Sequence, residues 1–278
     1  MLIRAGTEPA ADRDLDALRL VFSVGEPLGA GAVDWGRDTL GVPIRDTWWQ
    51  TETGSIMIAT AHDGDVVPGS MGRPVAGLEI GLLECSDSGD LTLANGHVVE
   101  IDDPERVGMI AIRPGWPSMF RGYLHADDRY RKAFVDGWYL SGDLARRDTD
   151  GAYWFVGRAD DVIKTAGHLI GPFEVERVLT AHPDVVAAGV YGMPDDLAGE
   201  VIHAELVLRD GVDVDRTLID VRAHARRTLG AALAPRSLTP VEALPITRSG
   251  KVMRRLLRAR ALGLPEGDTS TLENGSDT

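Results

Sequence analysis

Two polar segments of the sequence combine side chains that bind metal ions or sugar hydroxyls. Residues 46–53, DTWWQTET, place Thr51 and Glu52 where a strand-like run passes into a loop. A carboxylate beside hydroxyls is suited to holding Mg²⁺ on a polyphosphate, and the alternative is a solvated loop with a local turn. Asp143 follows Ser141-Gly142 and could accept hydrogen bonds from the two hydroxyls of a ribose, unless it is an ordinary turn aspartate.

Two basic side chains are candidates for phosphate binding. Arg158, at the end of a predicted hairpin, offers a planar guanidinium that suits phosphate, and a surface ion pair is the alternative. Lys251 ends the turn-like run TRSGK before a helix-like segment, where the alternative is a solvated basic loop. The run is not a Walker A motif, because Pro245 stands where that motif needs its first glycine.

Composition excludes several classes of function. The 278 residues carry a net charge of −14, which argues against nucleic acid and anionic membranes as partners. The one cysteine, Cys85, excludes an internal disulfide and every CxxC site, and it fits a reducing cytoplasm. The first residues lack the apolar core of a signal peptide, and no apolar run approaches the roughly 18 residues of a membrane span. The sequence contains neither G-x-S-x-G nor H-E-x-x-H.

The first part of the chain has the pattern of a β-rich domain. We predict a strand over residues 18–24, a second strand that begins at Ile44, and a β meander over residues 69–113. A hairpin that ends at Arg158 follows, with its turn at residues 148–151. These elements assign residues 1–159 to one domain.

The remaining chain predicts a small α/β domain over residues 160–263. Pro172 begins a helix, and residues 185–192 and 201–208 are two apolar strands. A second helix is amphipathic, with its apolar face formed by Val214, Leu218, Val221, Ala225 and Leu229. The tail, residues 264–278, has no basic residue and few apolar ones, so we expect it to be disordered.

Six segments in a fixed order resemble the later signature motifs of one enzyme family, the AMP-forming acyl-CoA synthetases, and most closely its acetyl-CoA synthetase branch. They are SVGEPL from residue 23, DTWWQTETG from 46, VPGSMGRPVAG from 67, WYLSGD from 138, GRADDVIKTAGHLIGPFEVE from 157 and LPITRSGKVMRRLLR from 244. The resemblance extends over residues 15–271. It implies an α/β fold in which a partial β-rich remnant of the large adenylate-forming domain precedes the small mobile C-terminal domain.

The resemblance also implies a reaction in two halves. ATP and a short carboxylic acid give an acyl-adenylate and pyrophosphate, and the thiol of coenzyme A then displaces AMP. The implied cofactors are ATP or AMP, Mg²⁺ and coenzyme A. Two alternatives remain open, namely a fragment that binds nucleotide, coenzyme A or a partner without catalysis, and a ligase for propionate or longer acids.

By resemblance, a loop with Gly25, Glu26 and Pro27 contacts the adenine. The strand end that follows forms the wall around adenine and phosphate, and its residues are Asp46, Thr47, Trp48, Trp49, Gln50 and Thr51. Glu52 is similar to the Mg²⁺-binding glutamate, Asp143 to the ribose-binding aspartate, and Arg158 to a nucleotide-binding arginine. Trp49 is similar to the tryptophan that restricts the acid pocket to two or three carbons, and packing in the core is the alternative.

Lys251 resembles the lysine that catalyses adenylation, with Glu52 and Thr51 as the other catalytic residues. Asp160 occupies the hinge position about which the small domain rotates between the half-reactions. We expect Lys251 to be a target of a lysine acyltransferase and deacylase, because acylation removes the cation that the chemistry needs.

Three further roles follow from the resemblance. Ala166 and Gly167 resemble the backbone that lines the coenzyme A tunnel, and Arg226 is similar to a residue that contacts the coenzyme A phosphates. His182 stands where some relatives hold a structural cation, and a packed histidine at a helix end is the alternative.

The sequence departs from the family pattern in two places. Leu169 occupies a position that is arginine in much of the family. The serine-, threonine- and glycine-rich phosphate loop has no counterpart, nor does the amino-terminal half that carries it. We therefore expect either a gene fragment or a chain that is completed by a separate amino-terminal half, with exposed apolar surface in the first part.

Overall fold

The computed structural model describes residues 7–11, 13–25, 27–61, 64–86, 89–165, 167–248 and 250–272. Glu26 and Ala166, two of the predicted ligand contacts, lie outside the described residues. The chain forms two compact units, one of residues 1–86 and 90–156 and the other of residues 87–89 and 157–278. The sequence pattern places this division slightly later, near Asp160.

The described residues of the first unit are β-rich and form three helices. Its helices are α1 (Glu8–Ala11), α2 (Ala30–Leu40) and α3 (Asp127–Lys132). Its strands are β1 (Val21–Ser23), β2 (Ile44–Trp48), β3 (Ile58–Ala59), β4 (Arg73–Pro74), β5 (Ile80–Leu83), β6 (Leu93–Ala94), β7 (His97–Val98), β8 (Gly108–Ile112), β9 (Phe134–Val135), β10 (Trp138–Arg147) and β11 (Tyr153–Arg158), the last of which runs across the division. One sheet has the order β1-β2-β3-β4, a second has β11-β10-β8-β5 with β9 beside β10, and β6 and β7 form a hairpin.

Strands β1 and β2 are parallel, and α2 connects them. β1 has three residues, whereas the sequence predicts a strand over residues 18–24, and the apolar side chains of Phe22 and Val24 are exposed. The sequence pattern did not reveal α2, because its glycines weaken the helical signal. Gly36 is required there, since a Cβ atom would lie 2.8 Å from the backbone nitrogen of Ile44.

The second unit is the smaller α/β arrangement that the sequence predicts. It contains β12 (Ile163–Thr165), β13 (His168–Ile170), α4 (Pro172–Thr180), β14 (Val185–Asp195), β15 (Gly199–Leu208), α5 (Val214–Leu229), β16 (Ser237–Pro240) and α6 (Arg254–Leu262). The sheet order is β13-β12-β15-β14, and β16 lies parallel to β15.

The predicted helices and strands of this unit are confirmed. Pro172 is in the first turn of α4, and the Asp213 carboxylate caps α5 by accepting a hydrogen bond from the Arg216 backbone NH at 3.1 Å. The buried face of α5 is formed by Thr217, Val221 and Ala225, whereas the predicted face began at Val214, which is exposed. Among the described residues no helix is long and apolar enough to cross a membrane.

A buried ion pair joins α4 to the start of α6. Both oxygens of Glu176 accept hydrogen bonds from Arg254, at 2.7 Å from Nε and 2.6 Å from Nη2. Glu176 also accepts a hydrogen bond from the backbone NH of Val190 in β14. Asp161 lies 3.9 Å from the same guanidinium, and burial raises the pKa of its carboxyl. The pair therefore fixes where α6 begins.

The segment after α6 has a defined conformation as far as Leu272. The sequence predicts instead that the whole tail, residues 264–278, is disordered. The carbonyl groups of Glu266 and Asp268 accept hydrogen bonds from Arg255 of α6, the latter at 2.6 Å, and the Glu266 carboxylate pairs with Arg260. The composition of the tail alone does not reveal these basic partners on the preceding helix.

Strand β2 is buried along its whole length although it carries Arg45, Asp46 and Thr47. Each polar side chain has a backbone partner in the same unit. Arg45 donates to the carbonyls of Ala61 and Gly64, and Asp46 accepts hydrogen bonds from the backbone NH groups of Leu28 and Thr47. Burial raises the pKa of Asp46 to about 6, because desolvation outweighs these two hydrogen bonds.

The ion pair of Glu176 predicts a large local stability effect. Replacing Glu176 with alanine removes both of its hydrogen bonds to the Arg254 guanidinium in a mostly buried position, so we expect a loss of about 2–4 kcal/mol in the free energy of unfolding of the second unit. Glu174→Ala is the matched control, since Glu174 lies in the same helix and is exposed. Urea unfolding of both variants measures the difference, and equal losses would contradict the assignment.

The raised pKa of Asp46 predicts a pH dependence of stability. The folded state binds this proton more tightly than the unfolded state, so stability is greatest below about pH 4, falls as the pH rises towards 6, and is constant above that. Asp46→Asn removes this slope. The difference in unfolding free energy between Asp46→Asn and the unsubstituted chain should change by at most about 3 kcal/mol between pH 4 and pH 7.

Chemical unfolding across this pH range measures the slope. The control is Asp38→Asn, at an exposed position of α2. A difference that is constant with pH for Asp46→Asn would show that the buried carboxyl titrates normally.

Candidate functional site

The buried carboxylate of Asp143 connects two sheets of the first unit. Its Oδ2 accepts hydrogen bonds from Trp48 Nε1 at 2.9 Å and from Gln50 Nε2 at 2.8 Å. Trp48 ends β2 and Gln50 follows it, while Asp143 lies in β10. Two of the predicted nucleotide contacts are thus joined directly to the predicted ribose aspartate.

An irregularity in β10 presents this carboxylate. The pairing of β10 with β8 shifts register between Leu140 and Leu144, and Gly142 has a φ of +72°, which favours glycine. Ser141 stabilises the irregularity, because its hydroxyl donates to the carbonyl of Ile110 at 2.7 Å and accepts from the backbone NH of Asp143 at 3.0 Å. The SGD motif is therefore a bulge that turns one side chain out of the regular ladder.

Gln50 is held from three directions. Its amide nitrogen also donates to the carbonyl of Ser141 at 2.9 Å, and its Oε1 accepts a hydrogen bond from the hydroxyl of Tyr139 at 2.8 Å. The side chain therefore has one fixed orientation relative to Asp143. A rigid amide next to a buried carboxylate is suited to orienting a polar ligand.

The loop after β2 is rigid because of Thr53, which is fully buried. The Thr53 hydroxyl accepts from the backbone NH of Gln50, and the Thr53 carbonyl accepts hydrogen bonds from Trp116 Nε1 and the Ser118 hydroxyl. At Gly54, where φ is +64°, a Cβ atom would lie 2.5 Å from the carbonyl oxygen of Ser118. These contacts leave little freedom for the two residues between Gln50 and Thr53.

Glu52 and Thr51 lie at the tip of this loop. Thr51 is exposed and Glu52 is half-buried. The hydroxyl of Tyr123 donates to Glu52 Oε1 at 2.8 Å, and the Glu52 carbonyl accepts from the backbone NH of Phe120. An oriented carboxylate fits Mg²⁺, which proteins bind through one or two carboxylates together with substrate phosphates.

The predicted adenine loop is tied to β2 through Asp46. The backbone NH of Leu28 donates to Asp46 Oδ2 at 3.2 Å, and the Thr47 hydroxyl donates to the carbonyl of Ser23 at 2.7 Å. Gly25 has a φ of +102°, and Pro27 follows the residue outside the described ranges. The loop and the strand end of the predicted nucleotide wall therefore lie next to each other.

The two tryptophans after Thr47 have opposite environments. Trp48 is buried and donates to Asp143, whereas Trp49 is 40% exposed. The alternative role predicted for Trp49, packing in the core, therefore describes Trp48 instead. An exposed indole next to the fixed Gln50 is available to contact a ligand.

The other predicted site residues belong to the second unit. Lys251 is exposed on a turn, where its backbone NH donates to Thr247 Oγ1 at 3.1 Å. Arg158 is exposed at the end of β11, and its Nε lies 3.1 Å from Asp160 Oδ1. Gly167 is exposed in the turn between β12 and β13 with a φ of +80°.

Arg226 and His182 lie on and beside α5. Arg226 is exposed in the last turn of α5 and lines a shallow concavity with Leu218, Ile219, Arg222 and Ala223. His182 Nδ1 accepts from the backbone NH of Asp184 at 3.3 Å, and its ring lies edge-on to that of His224, with centroids 6.3 Å apart. Within the described ranges, no three His, Cys, Asp or Glu side chains converge to hold a metal ion.

Sequence reasoning missed the residues that orient the site. Tyr123, Tyr139 and Thr53 each bind a predicted site residue, yet none of them carries a chemical signature of its own. Tyr139 and Thr53 lie inside two of the family motifs, and these motifs were the sequence signal that could have pointed to them. No sequence signal pointed to Tyr123, because its contact with Glu52 spans 71 residues.

Comparisons with known proteins identify curated relatives over nearly the whole chain. The chain is 44% identical over 276 residues to the acetyl-coenzyme A synthetase of Bacillus subtilis and 43% identical over 277 residues to that of Deinococcus radiodurans. These matches cover 99% and 97% of the chain but 46% and 40% of the relatives. The chain therefore spans less than half the length of the curated relatives it matches.

Solved structures also match most of this chain and about half of their own length. An anthranilate CoA ligase in complex with anthranoyl-AMP matches 91% of the chain and 47% of its own chain, with a TM-score of 0.75 and 31% identity. The O-succinylbenzoate CoA synthetase of Bacillus subtilis in complex with AMP matches 92% of the chain and 49% of its own chain, with a TM-score of 0.75 and 26% identity. The mixed α/β fold predicted from the sequence is confirmed.

Two family models match consecutive parts of the chain. Residues 1–124 match the model of the AMP-binding enzyme, and residues 174–251 match that of the AMP-binding enzyme C-terminal domain. The first match contains the loop from Thr51 to Gly54, and the second ends at Lys251. The chain belongs to the family of AMP-binding enzymes.

Proposed function

We propose that this chain carries the carboxy-terminal part of an AMP-forming acetyl-CoA synthetase, which converts acetate, ATP and coenzyme A to acetyl-CoA, AMP and pyrophosphate. The observation that carries the proposal is the buried Asp143 carboxylate of β10. It is oriented by hydrogen bonds from Trp48, at the end of β2, and from Gln50 in the loop that follows. A fixed carboxylate of this kind suits the paired hydroxyls of a ribose, and the adjoining loop supplies Gly25, Glu26 and Pro27 beside the adenine.

The residues of the first unit bind and orient the nucleotide. Glu52, held by Tyr123, is the residue that would bind Mg²⁺. The metal ion, when bound, neutralises phosphate charge. Thr51 lies next to Glu52 on the exposed side of the rigid loop, where its hydroxyl can donate to a phosphate oxygen. Arg158, which belongs to the second unit, would supply a further cation for the nucleotide.

Lys251 supplies the cation for adenylation. Attack of the acid oxygen on the α-phosphate forms a bond to phosphorus and expels pyrophosphate, and negative charge increases at the phosphate oxygens. A lysine on an exposed turn has the reach to stabilise that charge. Such a contact is typically worth about 3–4 kcal/mol of barrier.

Trp49 supports acetate as the acid. Its exposed indole, next to Gln50, presents a large flat surface that would shorten an acid pocket. Each additional methylene group would make a longer acid a poorer substrate than acetate by about 1–3 kcal/mol of activation free energy. We therefore prefer acetate to propionate or longer acids.

The coenzyme A step uses residues of the second unit in this proposal. The backbone at Ala166 and Gly167 lines the thiol path, and Arg226 binds phosphates of coenzyme A together with its neighbour Arg222 on α5. His182 is the proposed ligand of a structural cation. We assign the reaction to the cytoplasm, where a single unpaired Cys85 stays reduced.

Two macromolecular partners belong to the proposal. A lysine acyltransferase and a deacylase would act on Lys251, whose exposure makes its amine accessible. A role in nucleotide or coenzyme A binding without catalysis is the second candidate, because the oriented Asp143 carboxylate can account for binding by itself.

The test joins the chain to the part of the Bacillus subtilis acetyl-coenzyme A synthetase that precedes the matched region. We expect this chimera to catalyse acetate-dependent ATP–pyrophosphate exchange, and Lys251→Ala to lower the exchange rate by about 10²–10³-fold. Lys132→Ala is the control, since Lys132 is an exposed lysine of α3.

The outcomes separate the two candidates. Exchange that is abolished by Lys251→Ala and kept by Lys132→Ala supports the ligase. Exchange that is unaffected by Lys251→Ala contradicts the role of this lysine. A chimera that binds AMP without any exchange selects the non-catalytic binding role.

A further inference from the structure

We infer that residues 264–272, here called the C-terminal brace, fix the position of the turn that carries Lys251, and that Arg255 is the residue that holds the brace. The structural part of this inference stands on contacts within the second unit. Its catalytic consequence rests on the proposed function of Lys251.

The turn at Lys251 is a short hairpin. Ile246 and Val252 form an antiparallel bridge, and the Thr247 backbone NH donates to the carbonyl of Lys251 at 2.8 Å. The Gly250 backbone NH donates to the carbonyl of Thr247 at 2.7 Å. An isolated two-stranded hairpin is only marginally stable in water, so this turn needs further support.

The brace supplies a third strand-like segment at the edge of this hairpin. Leu272 forms an antiparallel bridge with Thr247, and the Arg248 backbone NH donates to the carbonyl of Thr271 at 3.1 Å. The Leu272 backbone NH donates to Thr269, which closes a turn within the brace. The backbone on one side of the Lys251 turn is thereby paired with a segment that lies after α6.

Arg255 in α6 holds the brace in place. Its guanidinium donates to the carbonyls of Glu266 and Asp268, the latter at 2.6 Å. Arg260 adds an ion pair with the Glu266 carboxylate at 2.9 Å. Hydrogen bonds from one planar guanidinium to two carbonyls fix the path of the brace, whereas an exposed ion pair alone contributes little.

The base of this arrangement is rigid. Arg254, next to Arg255, donates hydrogen bonds from Nε and Nη2 to the two carboxylate oxygens of Glu176 in α4. The first turn of α6 therefore has a fixed orientation. A continuous set of contacts leads from α4 through α6 and the brace to the turn, and a displacement of about 1 Å at a catalytic group can lower a rate about 100-fold.

Two truncations of the chain test the inference directly. Ending the chain after Leu264 removes the partners of Arg255 and of the Arg248 backbone NH. Ending it after Leu272 leaves every described contact of the brace in place and is the matched control. Hydrogen exchange of the isolated chain, followed for the amides of residues 246–252, should be at least about tenfold faster in the first truncation and unchanged in the second.

A pair of glycine variants tests the role of Arg255 in the full chain. Gly263 and Gly267 have similar positive φ angles of +64° and +69°, so alanine is strained in the same way at both. At Gly267 a Cβ atom would lie 2.5 Å from Nη1 of Arg255, whereas at Gly263 nothing lies within 4 Å. Gly267→Ala should therefore speed exchange at the turn, and Gly263→Ala should not.

The catalytic consequence is measured in the chimera. The truncation after Leu264 should lower kcat for ATP–pyrophosphate exchange about tenfold or more with little change in KM for ATP and in the melting temperature. The truncation after Leu272 should not. A merely structural role would lower the melting temperature and leave kcat unchanged.

The failures are distinguishable. Equal protection of the turn amides in both truncations overturns the brace. Faster amide exchange with an unchanged kcat overturns its positioning role if Lys251→Ala lowers the rate. If Lys251→Ala also leaves the rate unchanged, the proposed function of Lys251 has failed, and the positioning role fails with it.

Discussion

The buried carboxylate of Asp143 is the interaction on which the candidate site depends. A carboxylate removed from water needs hydrogen-bond donors, and here Trp48 and Gln50 supply them from the end of another sheet. The two hydrogen bonds that this buried carboxylate needs therefore also fix β2 and its loop against β10. Tyr139 then orients Gln50, and Thr53 keeps the loop closed below Glu52. One buried polar group thus positions Trp48 and Gln50, two of the proposed nucleotide contacts.

The second unit differs from the first because its proposed catalytic residue is exposed rather than buried. Lys251 lies on a turn with few contacts of its own, so its position must be fixed through the backbone. The buried pair of Glu176 and Arg254 anchors α6, and Arg255 extends that support to residues 264–272. The Lys251 side chain stays exposed while its backbone is held by Thr247, which is itself paired with Leu272.

Patterns within one element predicted most of the fold. The helix at Pro172, the amphipathic helix α5 and the long hairpin that ends at Arg158 all follow from local periodicity and turn chemistry. Contacts between distant segments could not be predicted, because no local pattern encodes them. Trp48 and Asp143 are 95 residues apart, and the order in the tail depends on arginines of α6 rather than on the tail's own acidic composition. The family motifs predicted the candidate site residues, but not Tyr123, which contacts Glu52, or the role of Tyr139, which contacts Gln50.

The central claim is that Asp143 binds the ribose of an adenine nucleotide. Calorimetric titration of the purified chain with AMP tests it most directly, with Asp143→Asn as the variant and Asp150→Asn, in the exposed turn of the same hairpin, as the control. We expect binding by the unsubstituted chain and the control, and a loss of at least about tenfold for Asp143→Asn, as one charge-assisted hydrogen bond is lost. Equal affinities for all three proteins, or no binding by the unsubstituted chain, would contradict the account.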